Sequence, residues 1–133
     1  MHCDASQRLL DVTALSVSFH AESGVAPVLD KVGLSLRRGE IMGLVGESGC
    51  GKTTLARAIL GVLPANAAID GGRIVFAGED LLALPPAEAG ARIRGRTITF
   101  IPQDPYGAFS PLFTTGDQIA ELMRWKSPDR RPG

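Results

Sequence analysis

The chain has 133 residues, of which 44% are hydrophobic and 21% are charged, the composition of an ordinary globular domain with one core. The 14 basic side chains balance the 14 acidic ones, so the net charge gives no sign of a nucleic-acid partner. Cys3 and Cys50 are too few for a disulfide framework. No apolar run could cross a bilayer, and the opening segment lacks the pattern of a secretory signal. We therefore expect a soluble protein of a reducing, intracellular compartment.

The first part of the sequence predicts a pair of strands. Residues 8–19 alternate apolar and polar side chains, but the alternation changes face at 13–14 and predicts a bulge there. A loop is predicted at 20–27 and a second strand at 28–36. Residues 41–45 are almost all apolar, which predicts a short strand buried on both faces of a parallel sheet.

The remaining sequence alternates predicted helices and strands. Residues 52–63 place apolar side chains at helical spacing, and residues 72–77 read as a strand after a glycine-containing loop. A second short helix is predicted to begin near Ala87. Residues 97–101 are β-branched and apolar, which predicts another core strand. This alternation predicts an α/β fold.

A capping box is predicted to open the last helix, because Gln118 follows Thr115 by three residues. We expect this helix to bury the three apolar side chains of its inner face, Ile119, Leu122 and Met123. Residues 127–133 are polar and contain proline, so they are predicted to form a flexible C-terminal tail.

Residues 46–53, GESGCGKT, match the phosphate-binding pattern G-x-x-x-x-G-K-S/T without a mismatch. The glycines let the backbone curl so that N–H groups face phosphate oxygens, and the start of the following helix adds further N–H groups. Lys52 is expected to bring its ammonium to the β- and γ-phosphates, and the Thr53 hydroxyl to bind Mg²⁺. The predicted nucleotide-binding residues are Gly46, Glu47, Ser48, Gly49, Cys50, Gly51, Lys52, Thr53 and Thr54.

The phosphate-binding pattern alone does not choose among GTPases, small-molecule kinases and transport ATPases. A GTPase also needs an N-K-x-D motif that reads guanine, and the one asparagine, Asn66, lacks the partner residues. The arginines at 92, 94 and 96 are a weak candidate for a kinase lid. Cys50 is either a reactive thiol or, as the better account, a small side chain that fills a tight turn.

Four segments carry a more specific pattern: LSVSF at 15–19, VGLSLRRGEIMGLVGESGCGKTTLARAILGVL at 32–63, GGRIVFAGEDLL at 71–82, and IRGRTITFIPQDPYGAFSPLFTTGDQIAE at 93–121. They resemble the ATP-binding subunits of ABC transporters, and more closely the ATPases of oligopeptide, dipeptide and nickel importers. The resemblance covers roughly residues 8–126. It implies a partial ABC-type ATP-binding domain, in which part of a P-loop NTPase core carries an antiparallel β-subdomain.

The resemblance also implies roles for residues outside the phosphate loop. Phe19 lies where the family's aromatic residue stacks on adenine, although a core aromatic at the end of a strand is the alternative. Gln103 lies where the family's Q-loop glutamine reaches Mg²⁺ and the attacking water, so it joins Lys52 as an expected catalytic residue and Thr53 as an expected metal contact. Residues 106–112 are implied to receive a coupling helix of the membrane subunit, although packing under a loop fits their composition nearly as well.

The implied cofactors are ATP and Mg²⁺. The implied partners are the transmembrane permease subunits, a second ATP-binding subunit and, indirectly, a solute-binding protein, with no nucleic acid. The expected place is peripheral, on the cytoplasmic face of the inner membrane. The implied function is to couple ATP binding and hydrolysis to the import of peptides or similar small solutes.

Three family motifs that follow the Q-loop are missing from this sequence: an L-S-G-G-Q type signature, an apolar strand ending in Asp-Glu, and a switch histidine. The two histidines, His2 and His20, both precede the phosphate loop. We therefore expect the N-terminal half of an ATPase domain that binds Mg·ATP but hydrolyses it near the background rate. Low solubility is expected too, because strands 41–45 and 97–101 lack flanking strands. The alternatives are a catalytically incompetent fragment that binds nucleotide or the membrane subunit, and a remnant without activity.

Overall fold

The computed structural model describes residues 8–104 and 106–126, which divide into two compact units on either side of the junction between Ala91 and Arg92. The first unit contains a four-stranded antiparallel sheet of order β2-β1-β3-β4. The strands are β1 (Arg8–Ala21), β2 (Gly24–Arg37), β3 (Ala67–Phe76) and β4 (Glu79–Asp80). The helices are α1 (Lys52–Leu60), α2 (Pro86–Arg92) and α3 (Thr115–Lys126), with a 3₁₀ turn at Tyr106–Ala108.

The β1 strand is the centre of the core because it pairs with a strand on each side. Leu15 and Val17 of β1 are fully buried, as is Ile74 of β3. The predicted bulge is confirmed, since Ala14 has a φ of 50° and the register of β1 shifts there against both neighbouring strands. The four-stranded sheet is thus consistent with the predicted antiparallel β-subdomain.

Three strands, β1, β2 and β3, are longer than the sequence pattern predicts. The expected loop at 20–27 is instead a tight hairpin in which Ala21 pairs with Gly24. The β3 strand begins at Ala67 rather than at residue 72, and Ala67 pairs with Phe19. The hydrogen bonds between strands join backbone groups and do not depend on the side chains. Residues that lack a strand-like side-chain pattern can therefore pair with β1 and lengthen β2 and β3.

The two predicted parallel core strands are wrong for the structure described. Residues 41–45 and 97–101 lie outside all four strands, and the latter contribute a single parallel bridge between Arg94 and Ile98. Ile41 is 99% exposed and Val45 is 96% exposed. A strand gains its hydrogen bonds from a neighbour, and an apolar segment without a neighbour remains in contact with solvent.

The first two helices agree closely with expectation. α1 begins at Lys52 as predicted and ends at Leu60, before Gly61, three residues earlier than predicted. It buries Leu55 and Ala58, which belong to the predicted apolar face. The predicted helix near residue 87 is confirmed as α2.

The start of α3 is capped differently from the predicted box. Thr114, not Thr115, is the cap, because its Oγ1 accepts a hydrogen bond from the Asp117 amide at 3.2 Å and donates one to Asp117 Oδ2 at 2.7 Å. Gln118 reaches back to the preceding loop instead. The predicted burial is wrong as well, since the apolar face is exposed at Ile119, Leu122 and Met123.

The predicted tail at 127–133 lies outside the described residues. In the part of the chain that the structure describes, no helix is both long and apolar enough to span a membrane.

Candidate functional site: the phosphate loop

The phosphate loop is curled, and α1 follows it directly. Within the loop the Cys50 amide donates a hydrogen bond to the Glu47 carbonyl at 3.3 Å. The first helical bond joins the Leu55 amide to the Gly51 carbonyl at 2.8 Å. Among the described residues, no side chain caps α1 at Gly51 or accepts a hydrogen bond from its first-turn amides. These amides and the positive end of the helix dipole suit an anion.

The side chain of Lys52 contacts the backbone of this loop. Its Nζ donates hydrogen bonds to the carbonyls of Gly46 at 2.6 Å and Glu47 at 2.7 Å, and it is 3.5 Å from Cys50 Sγ. The ammonium is therefore held against the backbone of the loop that would surround a phosphate group. The ammonium is thus engaged by the loop's own carbonyls, and an arriving phosphate would compete with these two hydrogen bonds.

One of the loop's glycines is required by its surroundings, since a Cβ atom on Gly51 would lie 2.7 Å from Leu29 Cδ2 and 3.3 Å from the Val28 carbonyl. A Cβ atom on Gly46 would lie 2.6 Å from Cys50 Sγ, the end of an exposed side chain that can rotate away. Leu29 belongs to β2 and pairs with Val17 of β1, so the end of the loop packs on the sheet. Glycine at position 51 therefore keeps the backbone free of a side chain where the loop meets α1, which suits close approach of a phosphate chain.

The metal and polar residues of the predicted set are open to solvent. The Thr53 hydroxyl is exposed and makes no hydrogen bond to the described residues, so its oxygen is available to a hard cation such as Mg²⁺. Glu47, Ser48 and Cys50 are also exposed, while Thr54 is half-buried. Among residues 8–104 and 106–126, no three His, Cys, Asp or Glu side chains converge as a metal cluster.

Phe19 lies on β1, two residues beyond Val17, whose partner Leu29 packs against the loop. Its side chain is half-buried, and its cross-strand partners are Ala26 of β2 and Ala67 of β3. Alanines on both sides leave space beside the ring, because small cross-strand neighbours cover little of it. Phe19 therefore lies on the same β1–β2 strand pair against which the end of the phosphate loop packs.

A polar cluster beside Phe19 escaped the sequence analysis. Ser18 is 3% exposed, and its Oγ donates a hydrogen bond to Asp70 Oδ1 at 3.0 Å. His20 Nε2 lies 3.5 Å from the same Oγ. Ser18 and Asp70 are 52 residues apart in sequence. No local pattern could have paired them, since only the β1–β3 register brings them together.

Gln103 belongs to the second unit, where it lies in an exposed bend. The following residue, Asp104, turns the chain by accepting hydrogen bonds from the amides of Tyr106 at 3.0 Å and Gly107 at 3.4 Å. The apolar side chains that come next are exposed rather than packed under the loop: Tyr106, Phe109, Leu112 and Phe113.

Comparison with known proteins identifies the family to which this phosphate loop belongs. The model of the ABC transporter family matches residues 29–128, three quarters of the chain. The chain belongs to the ABC transporter family. The matched range includes the whole phosphate loop and Gln103, and membership implies the P-loop NTPase fold to which the curled loop and α1 belong.

Individual relatives support the same family over more of the chain. The probable peptide ABC transporter ATP-binding protein y4tR of Sinorhizobium fredii is 42% identical over 117 residues, which are 87% of this chain and 35% of that protein. The dipeptide transport ATP-binding protein DppD of Bacillus subtilis is 39% identical over 127 residues, 94% of this chain and 38% of that protein. The oligopeptide transport ATP-binding protein OppD of Escherichia coli is 39% identical over 115 residues, 86% of this chain and 34% of that protein. The chain thus spans about a third of the length of these ABC relatives.

Proposed function

We propose that this chain is the ATP-binding part of an ABC importer of peptides or similar small solutes, which couples ATP binding and hydrolysis to transport. The observation that carries the proposal is the complete phosphate loop, curled with Lys52 on the carbonyls of Gly46 and Glu47, inside an ABC family match. The solute class rests on relatives that are named for peptide, dipeptide and oligopeptide transport.

Nucleotide binding uses three features of the first unit. The triphosphate takes its hydrogen bonds from the amides at the start of α1 and from the ammonium of Lys52. The Thr53 hydroxyl would hold Mg²⁺, which would supply charge neutralisation at the phosphates. The ring of Phe19 stacks on adenine, where an aromatic face matches the flat base.

Hydrolysis by the complete transporter would require Gln103 to orient the attacking water. Its amide offers a donor and an acceptor without adding charge, which suits it to hold a water molecule. Lys52 is proposed to stabilise the negative charge that builds on the transferred phosphoryl group. Gln103 itself lies in an exposed bend of the second unit.

Family membership and the exposed loop after Gln103 support the proposed partners. The permease subunits are proposed to receive Tyr106, Leu112 and Phe113, whose apolar side chains face solvent. A second ATP-binding subunit and, indirectly, a solute-binding protein complete the transporter. The chain would then work peripherally on the cytoplasmic face of the inner membrane.

Titration of the chain with a fluorescent ATP analogue and Mg²⁺ tests the proposal. Lys52→Met should weaken binding by about 10-fold or more, because it removes charged hydrogen bonds to the phosphates. The matched control is Lys31→Met on β2, because the Lys31 side chain is exposed and makes no hydrogen bond to the described residues. Failure of the unaltered chain to bind, or an equal loss in both variants, would contradict the proposal.

A further inference from the structure

The β3 strand carries one extra residue beside the last part of β1. Ser16 of β1 faces Gly71 and the next residue, Val17, faces Ile69, so Asp70 lies between the two pairs. This arrangement is a β-bulge on β3, and it follows the bulge on β1 within a few residues. The first bulge displaces the register by one residue and the second restores it, so beyond Asp70 the strands pair in the original register.

The side chain of Asp70 ties this bulge to β1. Ser18 is buried, and its Oγ donates a hydrogen bond to Asp70 Oδ1 at 3.0 Å. His20 Nε2, at 3.5 Å from the same Oγ, lies at the limit of a hydrogen bond. The Asp70 carboxylate is therefore the main acceptor for a buried hydroxyl that would be costly to leave unpaired. The hydrogen bond joins the extra residue of β3 to the strand that it would otherwise bypass.

The β2 strand carries an extra residue at the same level of β1. Val17 faces Leu29 and Ser18 faces Pro27, so Val28 lies between the two pairs. The Val28 carbonyl also lies against the end of the phosphate loop, 3.3 Å from the place that a Cβ would take on the glycine before α1. The register of β1 is thus adjusted on both sides at Val17 and Ser18, and one of the two adjusting residues contacts the phosphate loop.

Phe19 comes directly after these two adjustments of register. It pairs with Ala26 of β2 and with Ala67 of β3. The amide of the next residue, His20, donates a hydrogen bond to the Asn66 carbonyl at 2.8 Å. Successive side chains of a strand point to opposite faces, so a displacement of β1 by one residue against its neighbours would turn the ring to the other face. The position of the ring therefore depends on the register that the two bulges set.

We infer that Ser18 and Asp70 are positioning residues, whose hydrogen bond holds the bulge of β3 in the register that places the Phe19 ring on the base of a bound nucleotide. The pair would then favour nucleotides over phosphate chains that lack a base. This inference rests on the proposed function for the contact between Phe19 and adenine. The hydrogen bond and the two bulges are features of the sheet and do not depend on that function.

Hydrogen exchange at the His20 amide tests the positioning without a nucleotide. Ser18→Ala removes the donor and Asp70→Ala removes the acceptor, so each should make this exchange about 3- to 10-fold faster. Asp70→Asn keeps an acceptor oxygen and should change the exchange by less than about 2-fold. Asp30→Ala on β2 is the matched control, because the Asp30 carboxylate is exposed and makes no hydrogen bond to the described residues. Unchanged exchange in either Ser18→Ala or Asp70→Ala would overturn the inference.

Calorimetric titration of the full chain with Mg·ATP and with Mg·tripolyphosphate measures the consequence for the ligand. Tripolyphosphate offers phosphate groups without a base, so it can use the phosphate loop but not the Phe19 ring. Ser18→Ala and Asp70→Ala should weaken Mg·ATP by about 5-fold or more, and tripolyphosphate by less than about 2-fold. Removal of the Asp70 carboxylate would by itself favour an anion, so its charge does not account for a loss. Asp70→Asn and Asp30→Ala should keep the Mg·ATP affinity within about 2-fold.

The outcomes distinguish this inference from the proposed function. Equal weakening of both ligands in Ser18→Ala or Asp70→Ala would mean a merely structural role, and unchanged Mg·ATP binding would mean that the ring does not depend on the hydrogen bond. Either result overturns the inference and leaves the proposed function intact. Phe19→Leu is the reference variant, and an unchanged Mg·ATP affinity there would overturn the adenine contact and the inference with it. Failure of the unaltered, folded chain to bind either ligand would overturn both proposals.

Discussion

Gly51 joins the phosphate loop to α1 through a backbone conformation and a contact that both require glycine. Its φ of 99° lies in the left-handed region, which side chains with a Cβ rarely adopt. A Cβ atom at this position would also lie 2.7 Å from Leu29 Cδ2 and 3.3 Å from the Val28 carbonyl. The spacing of the phosphate-binding pattern therefore has a second cause, which is the close packing of the loop against β2.

Substitution of this glycine should cost stability. We expect Gly51→Ala to lower the free energy of unfolding by about 1–3 kcal/mol, because strain at φ and overlap with Leu29 act together. Chemical denaturation followed by far-ultraviolet circular dichroism measures the change. The matched control is Gly43→Ala, since Gly43 has no positive φ and nothing within 4 Å of its added Cβ. Equal stability of the two variants would show that Gly51 is not constrained.

At the scale of elements, the paired strands β1 and β3 approach each other closely at Gly72. Gly72 of β3 has a φ of 106°, and a Cβ on it would lie 2.5 Å from Leu15 Cα and 2.6 Å from the Ala14 carbonyl. This is the position at which the β1–β3 register shifts, between Thr13 and Ser16. The bulge in β1 and the glycine in β3 are therefore one feature, in which each strand makes room for the other.

The adjacent glycine offers a direct comparison. Gly72→Ala should lower the free energy of unfolding by about 2–4 kcal/mol, because the new methyl group meets backbone atoms that cannot rotate away. Gly71→Ala is the control one residue away, where nothing lies within 4 Å of the added Cβ and φ is not positive. Thermal melting of the two variants checks this difference. A small effect at both positions would mean that β1 can shift without cost.

Across the whole molecule, apolar side chains divide between a buried core and an uncovered set. The buried residues lie on β1, β2, β3 and α1 and in the chain after β4, and they include Leu15, Ile74 and Ala58. Ile41 and Val45 are almost entirely exposed even though their sequence resembles a core strand. Hydrophobic stabilisation scales with the area removed from water, so in the structure described these residues contribute little to stability.

The same substitution, valine to the isosteric threonine, at one buried and one exposed position tests this difference in burial. Val17→Thr should lower the free energy of unfolding by about 1–3 kcal/mol, because it buries a hydroxyl in a site with no exposure. Val45→Thr, at a site 96% exposed, should change it by less than about 0.5 kcal/mol and should reduce self-association. Denaturation and light scattering give the two readouts. A large loss in Val45→Thr would show that residue 45 is buried in solution.

Prediction from sequence worked where the cause was local. The phosphate pattern placed the start of α1 at Lys52, because glycine spacing and helical periodicity act within a few residues. The change of face near Ala14 likewise revealed the bulge. Strand ends were less accurate, since pairing with β1 extended β2 and β3 through residues without a strand pattern.

The sequence by itself determined the phosphate-binding pattern of this protein, a lysine, a threonine and a run of small residues at fixed spacing, and its membership of a family. Only the tertiary structure decided which apolar segments are covered and which distant polar groups meet. Residues 41–45 remain exposed, Ser18 meets Asp70, and Gln118 turns away from its own helix end to hold Ser110. The physical reason is that burial and hydrogen bonding require a partner, and the partner's position depends on how the whole chain packs.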